Sequence, residues 1–285
     1  MATGYALLIG LNGVDKNQYA GWDGALNVCE NDAVVMEAFA KSKKINNIKK
    51  LLGKAATREA VLNELNKAAA TLKEGDLFLL YYSGHGGNEI PDLNGDEFEK
   101  GNAWKDKFDE SWCLYNGQLV DDELFFQWKL FKKGVRIVVI SDSCFSGDIV
   151  KIFPGSEPRK SKAMDKEAGE KTYDNNKNFY KKIAKDLAVK EAALPLAKQG
   201  KKIAATLLQF SSSQEGQPSV PESQFFPNNS LFTGLLLQQM GKEKFKSYDQ
   251  LISVMKRTMP DFQTPKEQVL GDEKIKILFE APFKI

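Results

Sequence analysis

The sequence predicts an α/β protein with a mostly parallel central sheet flanked by helices, and three observations carry that expectation. Ile137 to Ile140 is an uninterrupted apolar, β-branched run, the mark of a strand buried on both faces of a parallel sheet. Asp76 to Tyr82 has the same character. Between Tyr5 and Tyr82, strand-like and helix-like stretches alternate as β-α-β-α-β, the pattern of a doubly wound sheet.

Each element has a local reason. Tyr5 to Asn12 reads as the first strand and stops at Asn12-Gly13. Asn27 to Ala40 sets Val28, Val34, Val35, Met36 and Phe39 at helical spacing, with Asn31-Asp32 early in it. Ile48 to Leu52 is a short strand. Thr57 is suited to cap a helix that runs through Leu72 and gathers Val61, Leu62, Leu65 and Ala69 on one face. Glu74-Gly75-Asp76 then turns the chain into the second buried run. Asn88 to Phe108 reads as a polar, acidic loop and Trp112 to Tyr115 as a small strand. Asp121-Asp122-Glu123 opens a helix through Phe131, its acidic first turn matched to the helix dipole.

Lys151 to Lys202 is rich in lysine and poor in large apolar residues before Phe179. Its first half reads as an exposed basic loop, and Asn178 to Leu196 as partly helical. Ile203 to Phe210 is another strand, followed by Ser211-Ser-Ser-Gln214. Leu231 to Met240 and Tyr248 to Met259 read as helices, and Ile275 to Phe279 as a closing strand. With no repeat and no long linker, residues 1–285 read as a single domain.

Composition narrows the function. A net charge of +2 gives no basic face, so nucleic acid is not an expected partner. No apolar run approaches the roughly 20 residues of a membrane helix, and no leader precedes Tyr5, so neither membrane nor export is expected. Three cysteines with no paired spacing suit a reducing compartment, hence a cytoplasmic protein. One histidine and no C-x-x-C leave a zinc site without ligands, whereas oxygen-bound ions stay open.

The chemistry collects where the two buried runs end, because in open α/β sheets ligands bind beyond the carboxyl ends of the strands. One run ends in Ser141-Asp-Ser-Cys-Phe-Ser-Gly147, the other in Ser83-Gly-His-Gly-Gly87, and His85 is the only histidine. Two neighbouring strands would bring Cys144 and His85 together. A thiol attacks only as thiolate, and a histidine beside it takes the proton and later delivers it to a leaving group. The Gly86 and Cys144 N–H groups make a candidate oxyanion hole. Cys29 and Cys113 read as buried small hydrophobes. A phosphatase would need arginine where Val150 stands, and the G-x-S-x-G, Walker and dinucleotide fingerprints are absent.

Tyr82-Ser-Gly-His-Gly-Gly87 followed by Asp142-Ser-Cys-Phe-Ser-Gly147 resembles the paired signature of metacaspases, peptidases of the caspase clan whose bacterial members are often named orthocaspases. The resemblance runs from Tyr5 to Phe210 and implies a caspase-like fold. It implies a cysteine endopeptidase with Cys144 as nucleophile and His85 as base then acid, needing no cofactor for the chemistry. It further implies cleavage of proteins and peptides after Arg or Lys. The residues agree, since Asp142 lies two positions before the thiol and a carboxylate there suits a guanidinium. By the same resemblance Asp32, in Cys29-Glu-Asn-Asp32, and Ser83 join the substrate pocket, although a first-turn aspartate also has a plain helix-start role.

The resemblance also implies calcium as an activator, with Asp109, Asp121 and Asp122 as ligands. Against this, Lys151 stands where the family carries a fourth aspartate, although Asp148 is nearby. Self-cleavage is expected within the Lys151 to Lys202 stretch, tethered close to a site selective for basic residues. Ser211 to Gln214 falls where the family lines its substrate groove. Two alternatives stay open: a clan relative with another preference, and a caspase-fold binding module without activity.

Overall fold

The computed structural model describes residues 2–93, 108–144, 161–200, 202–214, 216–221, 223–272 and 274–285. In chain order the elements are β1 (Gly4–Gly10), α1 (Cys29–Ser42), β2 (Asn47–Leu52), α2 (Arg58–Thr71) and β3 (Leu77–Ser83). Next come β4 (Gly86–Pro91), β5 (Phe108–Leu114), β6 (Gly117–Val120), α3 (Asp121–Leu130) and β7 (Arg136–Asp142). The chain continues with α4 (Lys166–Ala192), β8 (Thr206–Ser211), α5 (Leu231–Lys242), α6 (Tyr248–Thr258), β9 (Lys266–Gly271) and α7 (Lys274–Leu278).

Six strands form one sheet in the order β2-β1-β3-β7-β8-β9, and only the β8–β9 pair is antiparallel. Because side chains alternate across a strand, each buried run feeds two cores. Ala6, Leu8, Leu79, Tyr81, Val138 and Ile140 face α1, α5 and α6. Tyr5, Leu7, Phe78, Leu80, Tyr82, Ile137 and Val139 face α2 and α3. The central strands β1 and β3 are buried at every position, which is why their sequences read as unbroken apolar runs. Thr57 caps α2, its side chain accepting from the Ala60 N–H at 3.2 Å.

A second, antiparallel sheet, β4-β5-β6, grows from the end of β3. Its first strand occupies Gly86–Pro91, where the sequence reads as the start of a loop; glycine-rich and polar, it carries no strand signature of its own and is held by pairing with β5. The two-residue turn Tyr115-Asn116, followed by Gly117 at a φ of +146°, joins β5 to β6.

Two further expectations are corrected. The closing strand is Lys266–Gly271, not Ile275 to Phe279, which falls largely in α7. Strand β9 pairs through its backbone with the free edge of β8, so its polar side chains hide it from a pattern search. Helix α4 begins at Lys166, well inside the stretch read as an exposed loop, and bends at Asn176, which bonds the Thr172 carbonyl at 2.9 Å. Residues 151–160 of that stretch, with Asp148, lie outside the described residues.

Candidate active site

Strands β3 and β7 are neighbours in register, with Ser83 opposite Asp142. His85 and Cys144 each lie two residues beyond that pair, so sheet pairing alone brings the two strand-end motifs to one edge. Ser83 and Asp142 share strand parity with Tyr81 and Ile140, hence they face α1 and α5 rather than α2 and α3. There they meet Asp32 from the first turn of α1: the Ser83 hydroxyl donates to the Asp32 carboxylate at 2.8 Å. Both aspartates and the serine are fully buried.

Lys162 fills the space between them. Its side chain is fully buried, and its three ammonium hydrogens match three acceptors: Ser83 Oγ at 2.9 Å, Asp142 Oδ1 at 2.9 Å and the Asp142 carbonyl at 3.0 Å. Asp32 Oδ2 lies 3.6 Å from the same nitrogen. Burial alone would lower the lysine's pKa, but Asp142, then Cys29 and Asp32, more than offset it, and Lys162 is held protonated. The two carboxylates are satisfied from every side. Asp142 accepts from Ser219 at 2.9 Å and Thr233 at 2.6 Å; Asp32 accepts from Asn229 Nδ2 and the Ser230 N–H at 3.0 Å each, and from the Ser230 hydroxyl.

The backbone of Lys162 is held as specifically as its side chain. Its carbonyl accepts from the Gly86 N–H at 2.9 Å and the Cys144 N–H at 3.1 Å, the two donors assigned above to an oxyanion hole. Its own N–H donates to the Ser219 carbonyl at 3.0 Å. Ala163 pairs with Gly86 as an isolated parallel bridge, and the Met164 N–H donates to the Gly86 carbonyl at 2.7 Å. Lys162 and Met164 are buried while Ala163 between them is partly exposed, the alternation of an extended strand. This corrects the reading of Lys162 as one of many solvated lysines.

Cys144 is only 1% exposed but belongs to none of the apolar clusters. What covers it is polar chain: its N–H meets Lys162, and its thiol donates to the Gln217 carbonyl at 2.8 Å. Cys29, by contrast, is enclosed at the start of α1, where burial pushes its thiol up to about 12, and burial raises Cys113 as well.

His85 lies beneath Trp22, edge to face with ring centroids 4.8 Å apart. A side chain on Gly24 would come within 3.2 Å of the imidazole, so glycine there permits the close approach, at a φ of +56°. Neither ring nitrogen has a hydrogen-bond partner of good geometry among the described residues. Burial lowers its pKa from 6.5 to about 4, and the backbone of Ala163 and Gly24 offsets only part of that. The ring is thus a neutral base beside the Ala163 backbone.

The expected calcium ligands fall at one end of the small sheet: β5 pairs antiparallel with β6, Ser111 opposite Val120, so Asp109 on β5 and Asp121–Asp122 after β6 come to the same end. Asp109, on β5, accepts from the Leu93 N–H at 3.1 Å, while Asp121 and Asp122 open α3. Among the described residues, no group of three or more His, Cys, Asp or Glu forms a metal-binding cluster.

Ser219, Thr233, Asn229, Ser230 and Gln217 complete the pocket without a sequence signal, since each lies in an ordinary loop or apolar helix. Lys162 had none either. Of Ser211 to Gln214, Ser212 reaches the site, donating to the Ser143 carbonyl at 3.1 Å.

The similarities to known proteins agree with this geometry. The family model of the Peptidase_C14 caspase domain matches residues 3–274. Metacaspase-1 of Emericella nidulans is 26% identical over 306 residues, spanning 95% of this chain and 71% of its own length. Metacaspase-1A of Aspergillus oryzae is 25% identical over 311 residues, spanning 97% and 70%. The crystal structure of a Geobacter sulfurreducens protein, 37% identical, matches with a TM-score of 0.82 and covers 99% of both chains. The mostly parallel six-stranded sheet and its flanking helices are the caspase-like fold, and the chain belongs to the caspase-domain family of cysteine peptidases.

Proposed function

We propose that this cysteine endopeptidase acts through Cys144 and His85 and cuts after Lys or Arg, its own Lys162–Ala163 bond included. One observation carries the reading: a lysine of the chain sits in the carboxylate-lined pocket while its carbonyl oxygen rests on the Gly86 and Cys144 N–H groups beside the thiol. Such donors are worth most where negative charge develops on that oxygen.

The steps follow. The Cys144 sulfur adds to the carbonyl carbon of the basic residue as its proton passes to His85, and Gly86 and Cys144 hold the resulting oxyanion. His85 gives the proton to the departing amide nitrogen; the C–N bond breaks and a thioester remains. Water then adds to the thioester, its proton returning through His85 to sulfur, and the new carboxylate leaves. His85 suits the second transfer because it borders Ala163, whose nitrogen departs in self-cleavage.

Purified protein and its Cys144→Ala variant are compared by mass spectrometry and with fluorogenic Arg and Asp substrates. The reading expects fragments ending at Lys162, turnover of Arg and not Asp, and neither in the variant. Equal turnover by Cys144→Ala would end it. The complete burial of Lys162 also suits a second reading, a caspase-fold module whose pocket is permanently filled. Labelling of Cys144 by an Arg chloromethylketone separates the two, since a permanently filled pocket takes no label. Adding calcium to the same assays tests activation by the ion. Proteins bearing Lys or Arg in exposed segments are the expected partners. Among the described residues no helix is long and apolar enough to cross a membrane, and three cysteines outside any disulfide suit a reducing compartment such as the cytoplasm.

A further inference from the structure

Past the Lys162–Ala163 bond the chain does not leave the site. Met164 is fully buried in a small cluster of its own, separate from the two cores on either side of the main sheet. Val14 and Tyr19 come from the loop after β1 and Cys113 from β5, while Trp22, the ring that covers His85, closes one side. The floor is tight. A side chain on Gly87 would lie 3.1 Å from the Met164 terminal methyl, so the glycine admits the methionine's full length. Tyr19 is fixed by its hydroxyl, which donates to the Leu114 carbonyl at 2.6 Å, so the socket wall does not depend on Met164 for its shape.

Resting on the reading that residues 161–164 lie as a substrate lies, we propose that this socket is a second specificity pocket: it takes the side chain two residues after the cut, and it selects long, unbranched apolar groups. The geometry is that of strand addition. Gly86 bonds both Lys162 and Met164, so an incoming peptide in the same register directs its basic residue and the second residue past the cut to one side and the intervening residue outward. The intervening position, partly exposed at Ala163, carries little selection. A free peptide enters only once the chain's own segment has left, so the enzyme acts on others after its own Met164 withdraws. The preferred sequence is therefore basic, any, then methionine.

The test uses the full-length protein and quenched fluorescent peptides built on Ser-Lys-Ala-Zaa-Asp, with Zaa as Met, Leu, Ala or Asp. The expected result is kcat/KM at least about tenfold higher for Met than for Ala or Asp, the discrimination that an apolar pocket gives. Val14→Phe, which fills the rim, should shift preference from Met toward Ala while leaving the choice of Lys over Asp before the cut unchanged; the native protein decides alone if that variant does not fold. Lys-dependent cleavage with a flat response to Zaa overturns the pocket and leaves the peptidase reading standing. So does self-cleavage after Lys162 with no peptide cut, because the socket then never empties. Absence of both self-cleavage and peptide cleavage overturns the proposed function, and the pocket with it.

Discussion

Two buried cations in this protein look alike and differ in what holds them. Arg58 opens α2 and forms a two-pronged pair with Glu123 of α3, at 2.7 and 2.9 Å, with its guanidinium 5.0 Å from the centre of the Phe179 ring. Lys162 is buried against Asp142 and Asp32 at 2.9 and 3.6 Å. Both satisfy the rule that a buried charge must be paired. Yet Arg58 sits on a helix whose apolar face is committed to the core, whereas Lys162 lies on a short extended segment. Only Lys162 has its carbonyl on two N–H groups next to a thiol. Burial and pairing mark a structural joint in one place and a candidate substrate pocket in the other; the backbone around the cation separates them.

The sharpest way to break this contrast is to neutralise one carboxylate of each pair. Asp142→Asn should lower kcat/KM for Lys and Arg substrates by at least about a hundredfold, since the basic side chain then loses the nearer of its two carboxylates. Glu123→Gln should leave kcat/KM per folded molecule near normal and cost about 3–5 kcal/mol in chemical denaturation, because Arg58 is left buried without its partner. Equal losses of activity in the two variants would erase the distinction.

His85 sharpens it by titration. Its folded value of about 4 lies below the ordinary 6.5, so the closed form binds protons less readily than the unfolded chain. The closed form therefore keeps its full stability above pH 6.5 and loses about 3 kcal/mol as pH falls to about 4. As the sole histidine, it gives a single imidazole Cε1–H resonance in NMR. That resonance should titrate near 4 in uncut Cys144→Ala and rise toward 6.5 in Lys162→Glu, where like charges expel the segment. Identical titration in both would show that the segment does not cover the ring.

The smallest effect concerns Glu89 on β4, which packs against Gly169 of α4. Burial raises it from 4.5 to about 7, with Asp165 and Glu170 adding to the rise. For an acid raised in this way, the protonated form supports the fold, so its contribution is fully present below pH 4.5 and is lost as pH climbs through 7. Hydrogen-exchange protection factors in the first turns of α4, taken relative to the unfolded-chain rate at each pH, should fall across that range in the native protein and stay flat in Glu89→Gln.

Much of the fold was legible because its signals are local. The apolar runs at Leu77–Ser83 and Arg136–Asp142, the Thr57 cap and the acidic start of α3 each state their structure within a few residues. Strands β4 and β9 were illegible because what makes them strands is a partner's open edge. The pocket divides in the same way. Asp142, Ser83 and Asp32 could be named from their motifs, but Ser219, Thr233 and Ser230 join them only through hydrogen bonds across distant parts of the chain.

Hydrophobic periodicity and glycine placement are written residue by residue, and they suffice to show two buried strands that end in a cysteine motif and a histidine motif. Which lysine fills the pocket was decided by tertiary structure alone. Among the described lysines, Lys162 is the one whose extended backbone meets Gly86, Cys144 and Ser219 together, so its side chain enters a charge-lined cavity without stranding buried polar groups.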